Sequence, residues 1–213
     1  MRRWGLSKVE RVLIALKRHY GGHAFHVETE DPLRALIGCI LSQRTRDENA
    51  SKATDALFSV ASTPGEILAL DPEILKNLIR SSGYYNQKAK HIIGACRVIV
   101  ERFEGRVPRT RGELLSLPGV GPKTADIVLS YGYGEPAIAV DTHIHRVSKR
   151  AGLTGKVAEP QDVKRALESQ IAREDWIYAD GALLQLGKDF CKQSKPRCGE
   201  CPLRDICESG KGS

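Results

Sequence analysis

The stretch TRGELLSLPGVGPKTADIVLSY, residues 110–131, decides the fold class. Thr110 with Glu113 three residues on is an N-cap followed by a capping-box carboxylate. Leu117 to Gly121 is a tight, glycine-containing connection. Pro122 then stands where a second helix can start, because the first helical position has no use for the N–H that proline lacks. The segment reads as a helix-hairpin-helix covering about residues 109–131.

The same start signals recur in both directions from it. Ser7 with Glu10 and Thr63-Pro64 with Glu66 repeat the cap-and-carboxylate pattern, and Asp31-Pro32 and Asp71-Pro72 pair a cap with proline at the first helical position. Behind them lie apolar residues at helical spacing, such as Val9, Val12, Leu13 and Leu16, or Ile92, Ile93, Cys96, Ile99 and Val100. Gly83, Gly105 and Gly152 are placed to stop helices. The one strand-like run, Pro136 to Val140, has no alternating partner elsewhere and cannot make a sheet. The expected fold is therefore all-α, with the glycine- and proline-bearing stretch 132–136 as the boundary between two helical lobes.

The chain has 213 residues and a formal net charge of +7, from 33 Lys and Arg against 26 Asp and Glu, which favours a polyanionic partner. The N-terminal stretch carries Arg2, Arg3, Lys8, Arg11, Lys17 and Arg18 but lacks the apolar core of a signal peptide. No segment approaches the roughly eighteen apolar residues of a membrane helix. These features lead to the expectation of a soluble intracellular protein with no membrane partner. Of the six cysteines, four fall between 191 and 207, a distribution that suits a metal site rather than disulfides. Cys39 and Cys96 stand alone in apolar surroundings and read as core thiols.

Three constellations carry chemistry. In the hairpin, Gly119 and Gly121 can take backbone angles closed to other residues and let another backbone come close. The amides around Gly119, Val120 and Gly121, at the positive end of the following helix, would hold a DNA phosphate without reading sequence. Lys123 lies in the first turn of that helix. There it could grip a phosphate, or attack as a free amine and form a Schiff base. Asp141 opens the run Val-Asp-Thr-His-Ile-His-Arg-Val, where it is a helix N-cap by type and position and could also stabilise positive charge on a sugar or shuttle a proton. His143 and His145 are two residues apart, so they lie on different faces and read as structural. The third constellation is Cys191, Cys198, Cys201 and Cys207. Four thiolates in so short a span suit either zinc or an iron-sulfur cluster, and Lys192, Lys195, Arg197 and Arg204 between them would present positive charge to DNA.

Together the segments Leu41–Thr54, Gly83–Ile92, Leu117–Ala125 and Ala139–Val147, with the spacing of the four cysteines, make the chain resemble the endonuclease III family of helix-hairpin-helix DNA glycosylases. The resemblance implies a six-helix barrel domain bearing the hairpin, at 25–134, and an iron-sulfur cluster domain built from both chain ends, 1–24 with 135–213. It implies a four-iron four-sulfur (4Fe-4S) cluster on the four cysteines. The implied activity is bifunctional: a DNA glycosylase and abasic-site lyase with Lys123 as nucleophile and Asp141 as its acidic partner. Members flip the target nucleotide and fill the gap with side chains. Tyr84 matches the wedge position, where leucine is common. In the other filling loop Arg44 stands where better-known members place glutamine, so either Gln43 or Arg44 faces the orphan base. The lysine at 123 implies oxidised pyrimidines as substrates, because thymine-mismatch members tend to carry tyrosine there. The implied partner is double-stranded DNA containing damaged pyrimidines or abasic sites, met by a monomer in the cytoplasm, associated with the nucleoid. The competing readings are a thymine or uracil mismatch glycosylase, a non-catalytic helix-hairpin-helix DNA-binding protein, and a zinc-ribbon interaction protein.

Overall fold

The computed structural model describes residues 6–22, Phe25 and 29–212, with the side chains of 211 and 212 excepted; Arg2 and Arg3 lie outside the described residues. Helix α1 is Lys8–Tyr20. It is followed by α2 (Pro32–Ser42), α3 (Asp47–Phe58), α4 (Pro64–Ala69), α5 (Pro72–Leu78), α6 (Tyr85–Phe103), α7 (Arg111–Leu115) and α8 (Pro122–Ile127). Then come α9 (Thr142–Ala151), α10 (Pro160–Glu168) and α11 (Trp176–Asp189). Among the described residues there is no strand, and the fold is all-α. No helix among them is long and apolar enough to cross a membrane.

The chain divides into two compact units, one of residues 28–135 and one joining 1–27 to 136–213. In the first, α2 to α8 surround a core that includes Leu36, Ile40, Leu57, Ile92, Ile99 and Leu114. Its longest helix, α6, buries Ala89, Ile92, Ala95, Cys96 and Ile99. Val100, expected on the apolar face, is 41% exposed, and small alanines take the inward positions instead. Helix α8 passes into a π-helical turn over Val128–Gly132.

In the second unit α1 buries Val9, Val12, Leu13 and Leu16 in a core shared with Ile144, Val147, Leu183 and Leu186. The crossing of α9 with α11 is close: a Cβ on Gly187 would come within 2.7 Å of the His143 Cβ. The run Pro136–Val140 is extended and pairs with no strand. Side chains serve its backbone instead, as the Ala139 amide donates to Asp180 Oδ1 (2.7 Å) and Lys164 Nζ donates to the Ile138 carbonyl (3.1 Å). Buried backbone groups must find partners, and here two buried charged residues supply them.

Side-chain caps account for where several of the helices begin, though α3, α6, α8 and α11 start without one. Ser7 with Glu10 and Thr63 with Glu66 form reciprocal capping boxes, and Asp31 and Asp71 accept amides ahead of Pro32 and Pro72. Thr110 caps α7, and its hydroxyl donates to the Glu113 carboxylate (2.7 Å).

Candidate active site

In the hairpin the two glycines differ. Gly119 has φ +79°, the left-handed conformation that glycine adopts without penalty, and a Cβ there would lie 2.7 Å from the Cβ of His91 on α6. Gly121 is extended, with φ −99° and ψ 177°, as the N-cap of α8, and a Cβ there would meet open space. Of the two glycines that can take such angles only Gly119 does: it is required by the fold, whereas the fold would accept a side chain at Gly121. The hairpin's two helices are held together by Arg111, whose Nε donates to the buried Asp126 carboxylate (2.9 Å). Lys123 is exposed in the first turn of α8.

Beside Lys123, in the same unit, is a polar hollow of about 500 Å³ lined by Glu30, Cys39, Ser42, Asp47, Ile127 and Tyr131, among others. Ile127 is one turn along α8 from Lys123. The positive charge of Lys123 reaches the Cys39 thiol and favours its thiolate, but burial outweighs it and pushes that thiol up to about 12. Burial also raises the Glu30 carboxyl above the usual carboxylate range, against the pull of Arg34.

The gap-filling candidates gather around a second hollow, of about 300 Å³, lined by Gln43, Arg44, Tyr84, Gln87, Lys88 and His91. Tyr84 is 63% exposed. Its φ of +48° is left-handed, and so is the +54° of Arg44, although neither residue is glycine. Such angles cost a side-chain-bearing residue free energy and cluster at functional sites. Gln43 behaves differently, because its amide donates to the Gly119 carbonyl (3.0 Å) and is occupied in holding the hairpin turn. Nothing in the sequence marks Lys88, which is buried at the floor of this hollow.

In the other unit, Asp141 is half-buried and caps α9, its Oδ1 accepting the amides of His143 (2.9 Å) and Ile144 (2.8 Å). His145 meets the Ala158 carbonyl through Nε2 (2.8 Å) and His143 meets Arg146 through Nδ1 (3.0 Å), so both rings are engaged within the fold. Further along α9, Arg146 Nε donates to the Cys191 carbonyl (2.7 Å). Arg150 donates to the carbonyls of Lys192 (2.7 Å) and Gln193 (3.0 Å). The helix that Asp141 begins is therefore fastened along its length to the cysteine-bearing loop.

Cys191, Cys198, Cys201 and Cys207 line one cavity of about 200 Å³, with Arg150, Phe190 and Arg204. Burial pushes the Cys201 thiol up, and the three neighbouring cysteines add to that. Among the described residues no three histidine, cysteine, aspartate or glutamate side chains close in tightly enough for a single metal ion. A tetrahedral zinc site needs four sulfurs at about 2.3 Å from one centre. Four thiols lining one cavity are a donor set that suits either zinc or an iron-sulfur cluster.

The chain can now be set beside known proteins. Residues 37–173 match the model of the HhH-GPD superfamily of base excision DNA repair proteins. Endonuclease III of Thermotoga maritima is 47% identical over 191 residues, 88% of this chain and 89% of that protein. Endonuclease III of Escherichia coli K12 is 38% identical over 206 residues, 95% of this chain and 97% of that one. A solved structure of a trapped endonuclease III–DNA covalent intermediate superposes with a TM-score of 0.88 at 36% identity, covering 97% of this chain and 98% of that one. The chain belongs to the HhH-GPD superfamily of base excision DNA repair proteins, and within it to the endonuclease III family.

Proposed function

We infer that the protein is a bifunctional DNA glycosylase and abasic-site lyase that removes oxidised pyrimidines from duplex DNA, with Lys123 as nucleophile and Asp141 as its acidic partner. The observation that carries this reading is the placement of Lys123: exposed in the first turn of α8, directly after a hairpin whose Gly121 leaves room for a phosphate backbone to approach. That an endonuclease III has been trapped covalently on DNA supports a covalent route.

In that route the free amine of Lys123 attacks the anomeric carbon of the extruded nucleotide. The bond to the base breaks, and the base leaves with the bonding electrons and takes up a proton. Opening of the sugar ring gives a Schiff base between Nζ and C1′. Loss of a C2′ proton then expels the 3′ phosphate by β-elimination, and water releases the lysine. The carboxylate of Asp141 keeps one oxygen on the α9 amides and offers the other to positive charge on the sugar or to a proton in transit. The hollow beside Lys123, with Glu30, Ser42 and Asp47 as polar contacts, receives the base. Gln43 is held on the hairpin, so Arg44 faces the orphan base and Tyr84 enters from the other loop.

The spread of four thiols around one cavity supports a 4Fe-4S cluster on Cys191, Cys198, Cys201 and Cys207. When bound, that group supplies a rigid four-point anchor for the chain end. The anchored loop presents Lys192, Lys195, Arg197 and Arg204, all exposed, to DNA phosphates. The protein acts as a monomer on double-stranded DNA carrying damaged pyrimidines or abasic sites, in the cytoplasm and associated with the nucleoid.

Borohydride trapping tests the assignment. Incubated with a duplex bearing thymine glycol, the wild-type protein should form a covalent adduct of one chain with one strand. Lys123→Gln should bind the same duplex, form no adduct and leave the strand intact. A reducible adduct from that variant would move the nucleophile to another amine, and no adduct from the wild type would leave a non-catalytic binder.

A further inference from the structure

Lys88 lies in the first turn of α6 and is only 3% exposed. Its ammonium donates to three oxygens, each at 2.7 Å: the carbonyls of Leu41 and Ser82 and the hydroxyl of Thr45. Three protons meet three acceptors, so the group is fully used. None of the acceptors is a carboxylate. A buried cation without a counter-ion is costly, and burial pushes Lys88 down to about 8. An apolar side chain of similar length would avoid that cost but leave the Leu41 and Ser82 carbonyls without this donor, so what the ammonium contributes lies in what it holds.

What it holds is the root of two loops. Leu41 is in the last turn of α2, Thr45 directly follows Arg44, and Ser82 stands one residue before Gly83-Tyr84. The Thr45 hydroxyl also donates to the Ser82 carbonyl, joining the loops a second time. Immediately beyond these anchors Arg44 and Tyr84 both take left-handed backbone angles, which persist only where the surroundings over-determine them. We propose that Lys88 is a positioning residue for base extrusion: one buried ammonium ties the Leu41–Thr45 loop to the Gly83-Tyr84 loop, so that Arg44 and Tyr84 enter the duplex at a fixed separation. The proposal rests on the reading above in which those two side chains fill the gap.

The test compares two substrates in single-turnover assays of the full, cluster-loaded protein: a duplex with a paired thymine glycol, and the same duplex with a preformed abasic site, which has no base to extrude. Lys88→Met should slow excision of the paired base roughly tenfold or more, as expected when loops that must act together are misplaced by about an ångström, and slow strand cleavage at the abasic site by less than about threefold. Equal losses on both substrates, or no loss on either, would overturn the proposal. Arg44→Ala and Tyr84→Ala are run in parallel. If neither separates the substrates, the gap-filling reading falls and takes the tie with it. If they do and Lys88→Met does not, the tie alone is wrong. Should Lys88→Met fail to fold, Thr45→Val decides, because at nearly constant size it removes one acceptor of the ammonium together with the hydroxyl's own link to Ser82, while the Lys88 bonds to Leu41 and Ser82 remain. It should show the same separation in smaller measure, and its absence there would overturn the proposal equally.

Discussion

The Arg150 guanidinium lies 3.7 Å from the Cys191 sulfur while donating to the carbonyls of Lys192 and Gln193, so one side chain on α9 grips both the first thiol of the cysteine centre and the loop that follows it. A second cysteine of the same centre packs against this residue, the Cys207 sulfur lying 3.3 Å from the Arg150 carbonyl oxygen. With the proposed cluster bound, the Cys191 thiolate would carry negative charge that this guanidinium would offset. Groups that support ligands in this way are worth roughly 10–100-fold in metal affinity. Arg150→Met should therefore speed loss of iron to a chelator by about tenfold or more on the same scale, followed as decay of visible absorption, with helical content unchanged before the iron is lost. Wild-type retention of iron would show that the loop holds the cluster without Arg150.

The two hairpin glycines should fail in different ways. Gly119→Ala forces a side chain into a left-handed position and against His91, so it should lower stability by about 1–3 kcal/mol. Gly121→Ala meets neither obstacle. Its melting temperature should stay within a degree or two of wild type, yet its affinity for duplex DNA should fall, because the added methyl stands where a phosphate backbone must come close. A Gly121→Ala protein that binds DNA as well as wild type would remove the hairpin amides from the DNA contact.

That contrast marks how far the sequence could be read. Helix starts were legible at Ser7, Thr63, Asp31, Asp71 and Asp141, because a cap is a local transaction between a side chain and amides two or three residues on. Which of two glycines has no room for a side chain is decided by His91 on another helix, and no local pattern carries that. The partners of Pro136–Val140, Asp180 and Lys164, lie 41 and 26 residues away along the chain. Lys88 looks like any solvated helix lysine until three oxygens, two of them from a loop more than forty residues away, are seen around it. The roles of Arg111, Arg146 and Arg150 were hidden for the same reason: long side chains acting through hydrogen bonds to backbone or buried acid leave no periodic trace.

Gln43 and Arg44 are adjacent but differently engaged, which separates their variants. Gln43→Ala releases the Gly119 carbonyl and should weaken binding to damaged and undamaged duplex alike. Arg44→Ala leaves the hairpin untouched and should instead flatten the preference among the four bases opposite the lesion. The measurement is single-turnover excision of thymine glycol against each opposing base. An unchanged preference in Arg44→Ala, with a changed one in Gln43→Ala, would exchange the two roles.

Cys39 and Cys96 should resist alkylation. Burial pushes both thiols up to about 12, and in Cys39 it prevails over the nearby Lys123 charge that favours the thiolate. Because the folded value is raised, these groups leave stability flat below the unfolded thiol pKa of about 8.5. Stability then falls as pH rises from there towards 12, where the unfolded chain alone releases the protons. At pH 8, iodoacetamide should modify the four clustered cysteines of metal-free protein and leave Cys39 and Cys96 unmodified until denaturant is added, as read by peptide mass spectrometry. Native-state labelling of Cys39, which lines the hollow beside Lys123, would mean that its partial burial does not suppress the thiolate.

Asp141 caps α9 with its carboxylate, and the proposed chemistry would give the same group a second job that can be separated from the first. Its Oδ1 accepts the amides of His143 and Ile144, which fixes the start of α9. The proposed chemistry needs the negative charge and the second oxygen. Asparagine is as good an N-cap as aspartate, so Asp141→Asn should keep the fold, the thermal midpoint and DNA binding, while slowing base excision by roughly a hundredfold or more, the usual order for a lost acid-base group. Asp141→Ala loses the cap as well and should cost about a further 1 kcal/mol of stability. If Asp141→Asn excises thymine glycol at the wild-type rate while Asp141→Ala is destabilised, the residue is a cap alone. The charge stabilising the sugar must then come from another carboxylate, and Glu30 and Asp47, which line the hollow beside Lys123, would be the next to replace.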